Sequence, residues 1–110
     1  MAIVNSQLET TQQDVLVVPS DKSYAITNVL VCNTSTSQDA NFDMHLIQSG
    51  NALSDIKTKV VTDLVLPPGE TFTFDSERIV LEAGDKVSFV ANPDIGSGLT
   101  ELAATVSYLE

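Results

Sequence analysis

LPPGETFTFDSERIVLEAGDKVSF, residues Leu66 to Phe89, decides the fold of this chain. Two glycine turns, Pro67-Pro68-Gly69-Glu70 and Glu82-Ala83-Gly84-Asp85, divide it into short runs. In those runs the apolar side chains fall at every second position: Phe72 and Phe74, Ile79 and Leu81, Val87 and Phe89. A period of two puts alternate side chains on opposite faces of a β-strand, whereas a helix would space them three or four apart. The stretch reads as strands joined by tight turns, each with a dry face and a wet one.

The same period extends outward in both directions. Phe42, Met44 and Leu46 alternate with Asp43, His45 and Ile47, and Leu102, Ala104, Val106 and Tyr108 repeat the pattern at the other end. DVLVVP (Asp14–Pro19) and ITNVLVCN (Ile26–Asn33) are apolar without interruption, as expected of central strands covered on both faces. Clusters of Pro, Gly, Asn and Asp such as PSDKS, NTSTSQD, QSGN and NPDIGSG separate the runs. Turns at intervals of roughly ten residues predict an all-β fold, an antiparallel, jelly-roll-like β-sandwich of about eight short strands. The segment Ser49 to Val60 lacks alternation and is expected to be a long loop or a single helical turn. Residues 1–110 are expected to form a single β-sandwich domain, with 1–10 as an N-terminal edge strand or arm.

Composition narrows the function classes. Apolar residues make up 43% of the chain and charged residues 18%, a balance that folds rather than remaining disordered. Fifteen acidic against five basic side chains give a formal net charge of −10, which repels phosphate backbones and anionic headgroups. No nucleic-acid partner and no membrane partner are expected. The start, MAIVNSQLETTQQD, shows no basic n-region and no long apolar run, so synthesis in a cytoplasm without export is expected. The single cysteine, Cys32, reads as a small buried hydrophobe within its apolar run.

The residues that could carry chemistry are few. The one histidine, His45, falls on the polar face of its strand and is expected to face solvent or an interface. It cannot form a two-histidine metal site within one chain, and no Gly-x-Ser-x-Gly elbow is present to serve a triad. Asp75 and Glu77 could form a carboxylate pair but read better as a solvated corner beside Arg78. There is no tryptophan, and only Tyr24 and Tyr108 could offer a sugar-stacking platform. Asp94 to Gly98, DIGSG, reads as a hairpin loop. Loop carboxylates at Asp21, Asp39 and Asp94 lack the regular spacing of a dedicated calcium site. No catalytic residue, metal, cofactor or small-molecule substrate is expected, and the chain does not read as an enzyme.

One resemblance covers residues 15 to 108. Val18-Pro19, the Tyr24–Asn28 strand, Asn33-Thr34-Ser35, the Leu66–Glu70 turn and the Val80–Asp85 corner together resemble the small virion structural proteins of tailed phages, particularly those infecting marine cyanobacteria. The resemblance implies a non-enzymatic virion protein, of the capsid decoration or cement type, made in the host cytoplasm and working by protein-protein contact. A tail, neck or fibre position is the alternative within that class, and a lectin-like or ligand-binding sandwich the alternative outside it. The expected partners are other copies of the chain, as a homotrimer, and a larger shell protein. Ile3, Val4 and Leu8 carry too little apolar area to dock the N-terminal segment firmly alone, so they are candidate contact residues. So are Lys57 and Lys59, which read as the one local basic pair.

Overall fold

A computed structural model describes residues 2–74 and 79–110, so the Asp75, Glu77 and Arg78 corner lies outside the described residues. Among the described residues nine strands follow one another: β1 (Ala2–Glu9), β2 (Gln13–Val17), β3 (Tyr24–Asn33), β4 (Ala40–Ile47), β5 (Lys59–Leu66), β6 (Thr71–Phe74), β7 (Ile79–Leu81), β8 (Lys86–Asn92) and β9 (Leu99–Leu109). They build two antiparallel sheets. One runs β1-β9-β3-β6, with β7 also on β3, and the other runs β2-β8-β4-β5. β6 pairs with Val29–Cys32 and β7 with Tyr24–Ile26, so the two share one position beside β3. Eight strand positions in this order make a jelly-roll sandwich, as the sequence predicts.

The inward side chains close a single core. Val29, Val31, Val87, Phe89, Leu102 and Val106 are wholly buried. Phe42 joins the two layers, with its ring centroid 5.7 Å from that of Phe72 in the first sheet and 6.0 Å from that of Phe89 in its own. Burial of each such side chain contributes roughly 1.5–3 kcal/mol. Tyr24 and Tyr108 stack with centroids 4.4 Å apart at the margin of this core.

Three local expectations change. The uninterrupted apolar run of β2 does not make a central strand: β2 lies at the edge of its sheet, with Val17 about half exposed. β3 is interior to its sheet as expected, but only one of its faces meets the core, and Leu30 and Cys32 look outward. Cys32 is therefore half-buried instead of buried, because strand alternation places Val31 inside and its neighbour outside. The DIGSG segment turns back on itself through an antiparallel bridge between Gly96 and Leu99, but it does not join two paired strands. It carries the chain from β8 in one sheet to β9 in the other, and Asp94 Oδ1 accepts the amide hydrogens of Gly96 and Gly98 to hold the turn. Ser49–Val60 is largely the expected loop, with one turn closed by Thr58 N donating to Ser54 O at 3.1 Å, before β5 starts at Lys59.

Two corners tie the layers together, and they contain four of the five motifs that carry the resemblance; the fifth, Tyr24–Asn28, lies within β3. At one end, Asn33 is wholly buried. Its Nδ2 donates to Gln38 O and to Leu66 O, both at 2.8 Å, and its Oδ1 accepts from Ser35 N at 3.0 Å. Its backbone binds the Pro-Pro-Gly-Glu turn, through Asn33 N to Glu70 O at 2.9 Å and Gly69 N to Asn33 O at 3.0 Å. At the other end, Val18 N donates to Asp85 O at 3.0 Å and Gly84 N to Val18 O at 2.9 Å. Gly84 adopts φ 85°, and a β-carbon there would run into the Ser49 side chain, so glycine is required twice over.

Asn33→Ala leaves buried backbone groups without partners on two crossovers. It should lower the unfolding free energy by about 2–3 kcal/mol in urea titration, against less than about 1 kcal/mol for Thr34→Ala, whose hydroxyl bonds at the surface.

Candidate functional site

The two outward faces of the sandwich differ in chemistry. On the four-stranded sheet, charges are dense and paired. Lys86 Nζ lies 3.4 Å from Asp14 Oδ2, and Lys59 Nζ lies 3.5 Å from Asp43 and 3.6 Å from Asp55. Asp14 also accepts from Ser88 Oγ at 2.6 Å. Burial pushes the Asp14 carboxyl upward, but the hydrogen bonds from Ser88 and Gln12 and the Lys86 charge outweigh it and hold the group below the usual carboxylate range.

His45 sits in the middle of this face, opposite Ser88 on β8. It lies on the polar side of its strand as expected, yet it is neither solvent-facing nor at an interface: its exposure is 0%. The loop before β5 folds over it, with Leu46 N donating to Thr58 O at 2.9 Å and His45 Nδ1 lying 2.8 Å from Thr58 Oγ1. Thr58 Oγ1 in turn donates to Ser54 O at 2.7 Å and accepts from Ser54 N at 2.9 Å. With its one hydrogen directed to Ser54, the Thr58 hydroxyl acts as acceptor toward Nδ1–H, and Nε2 stays buried without a partner among the described residues. Burial pulls the His45 pKa below its ordinary value; Asp43 and Asp55 oppose this and Lys59 reinforces it.

An Asp, a Ser and a His thus share one row, but not in a hydrolase arrangement. Ser88 donates to the carboxylate instead of to the imidazole, and His45 bonds a threonine under a closed loop. The nucleophile-to-base hydrogen bond that triad chemistry uses is not made. Among the described residues no three His, Cys, Asp or Glu side chains gather as a metal site. Tyr24 is buried against Tyr108, so the pair does not present an open stacking platform.

The outer face of the five-stranded sheet is different. Gln7, Ala103, Cys32 and Thr71 form one cross-strand row, Asn5, Thr105, Leu30 and Thr73 the next, and Ile3, Ser107 and Asn28 a third. None of these side chains is charged, in a chain with twenty charged residues among 110. Glu9 and Glu101 lie beyond the first row. Two shallow depressions of about 390 and 320 Å³ lie side by side over β1 and β9, lined in part by Asn5, Gln7, Ala103 and Thr105. Depletion of charge is a compositional mark of the central part of a protein-protein interface, and β1, β9, β3 and β6 are hydrogen-bonded side by side along this face.

The candidate contact residues do not come together. Ile3 is outward and 61% exposed on the edge strand β1, and Val4 is half-buried against the core. Leu8 belongs to the core itself at 0% exposure, because alternation along β1 turns it inward over the other sheet. It is therefore not available as a contact residue. Lys57 is exposed in the loop before β5, at the opposite margin of the sandwich. Lys59 is not half of a free basic pair, since two carboxylates hold it. The sequence reading missed the uncharged rows, although their signal is present: between Glu9 and Glu101 at one end and Ser107 at the other, the wet positions of β1, β3, β6 and β9 hold Asn, Gln, Ser, Thr, Ala, Cys, Ile and Leu and no charged residue.

Comparison of the chain with protein-family models, curated proteins and solved structures found no match.

Because the fold holds His45 neutral, stability should be complete above the unfolded histidine value of about 6.5 and fall as pH drops below it, by up to about 1.4 kcal/mol per pH unit until the folded-state value is passed. The Asp14 contribution is lost only at lower pH, as the medium falls through the depressed carboxyl value. Urea titrations at pH 7.5, 6 and 5 check this, and His45→Gln should flatten the slope over that range.

Proposed function

We propose that this chain is a non-enzymatic structural protein of a tailed-phage virion, decorating or cementing the capsid through protein-protein contacts. The observation that carries the reading is the three cross-strand rows on the outer face of the five-stranded sheet, which hold no charged side chain among the described residues in an otherwise strongly acidic chain. A partner can cover that face without desolvating a carboxylate, and such desolvation is the usual obstacle to burying an acidic surface. The jelly-roll architecture adds support by analogy of fold, since viral capsid domains use it, though lectins and cupins do too. The turn motifs that resemble tailed-phage virion proteins lie at the two corners of the sandwich. They speak for shared architecture, and the contact role rests on the face.

The proposed partners are other copies of the chain and a larger shell protein, and the proposed location is the virion. A tail, neck or fibre position uses the same contact chemistry and differs in copy number per particle. Gradient-purified particles of the phage that encodes this chain should contain it in many copies by quantitative mass spectrometry. Particles without it would end the virion reading.

Charge sets the sign of a second expectation. At −10, free subunits repel one another over a Debye length of about 8 Å at physiological salt, and added salt shortens that reach. Binding to stripped particles should therefore strengthen from low salt to marine strength. Lys57 alone cannot reverse this trend, because an exposed pair contributes less than about 1 kcal/mol, and Lys59 is already engaged. Binding that weakens steadily along the series would overturn the repulsion account.

A further inference from the structure

Each sheet of a sandwich leaves two free edges, and a free edge pairs with other chains unless something blunts it. Three of the four edge positions here are blunted. β2 has five residues, a register shift after Asp14, and that carboxylate on its outer side. β5 has two register shifts, Asp63 at φ 46° and the charged Lys59 and Asp63. β6 and β7 are four and three residues long. β1 is the exception: eight residues, regular in register from Ala2 to Gln7, with no charged side chain before Glu9 and no proline.

We propose that the free edge of β1 pairs antiparallel with β1 of a second copy of this chain across a two-fold axis, joining two five-stranded sheets into one continuous sheet. Charge selects the place: two chains of −10 can approach without stacking carboxylates only where both are neutral, and β1 with its neighbour β9 supplies such a strip at Ile3, Asn5, Thr105 and Ser107. Symmetry selects the number, because an antiparallel edge is its own complement and closes at two. This gives a dimer in place of the trimer that the sequence led us to expect. Any register within Ala2–Gln7 keeps Ile3, Asn5 and Gln7 on the outer face, so the uncharged surface runs unbroken across the junction.

The contact is small. Eight residues at about 3.4 Å each give a strip about 27 Å long and, with sheets about 10 Å apart, roughly 300 Å² per copy in projection. The two copies together bury about 600 Å², well under the roughly 1,200 Å² of standard interfaces, so the contact is of the weak, transient class. Such a dimer forms where subunits are concentrated.

The test is sedimentation velocity of the full chain from about 1 to 300 μM in 0.5 M sodium chloride, taken to high concentration because a contact of this size is weak. A monomer-dimer equilibrium is expected, with the Ile3→Lys/Asn5→Lys double variant shifted at least tenfold toward monomer and Val65→Lys on β5 unchanged. Hydrogen exchange of the unmodified chain is the second measurement, independent of whether the variant folds: β1 amides should gain protection with concentration while β5 amides do not. A monomer throughout, a trimer, dissociation by Val65→Lys, or β1 exchange that ignores concentration would each overturn the pairing. The pairing does not depend on the virion reading. The isolated chain tests one and the particle census tests the other, so either can fail alone.

Discussion

The side-chain amide of Asn33 holds the architecture at the end where the chain most often changes sheets. The connections β1–β2, β3–β4, β5–β6 and β8–β9 all pass from one layer to the other, and one buried amide bridges two of them. Its donors reach Gln38 O in the β3–β4 crossover and Leu66 O at the start of the β5–β6 crossover. A buried amide without partners costs several kcal/mol, so satisfying three of its hydrogen bonds here makes other arrangements of the crossovers expensive. The remaining two cross nearby, with Thr10 N donating to Gly98 O and Thr34 N to Glu101 O, both at 2.9 Å. The opposite end relies on Gly84 and Asp85, whose carboxylate accepts from both Ser49 N and Glu82 N at 2.8 and 2.9 Å.

With both ends pinned, the two faces are free to diverge. The four-stranded sheet gathers its carboxylates around Lys59 and Lys86 and covers His45 with the loop before β5. This isolates a titratable group instead of offering it to a substrate. The five-stranded sheet, among its described residues, keeps Glu9 and Glu101 beyond three cross-strand rows that carry no charge. In the proposed assembly this division separates two effects: repulsion acts at long range, while a neutral surface decides what happens at contact.

The period-two runs, the glycine turns and their spacing made the all-β sandwich legible from residues alone, because strand alternation is a local property of the chain. Local pattern failed where neighbours in space decide. β2 reads as a buried strand because its residues are apolar, but its place at a sheet edge follows from pairing order. His45 reads as solvent-facing because it alternates with Met44, and a loop thirteen residues away covers it. Lys57 and Lys59 read as a basic pair because they are close in sequence, yet the strand and loop geometry gives Lys59 to Asp43 and Asp55.

The sequence by itself determined the class of fold, the acidic character, the positions of the turns and the alternation that makes each strand two-faced. Only the tertiary structure decided which wet faces lie side by side. The uncharged positions of β1, β3, β6 and β9 are scattered from Ile3 to Ser107 along the chain, and they become one surface because β9 returns between β1 and β3. That placement depends on long-range pairing and on the Asn33 and Gly84 corners, which no single window of sequence contains.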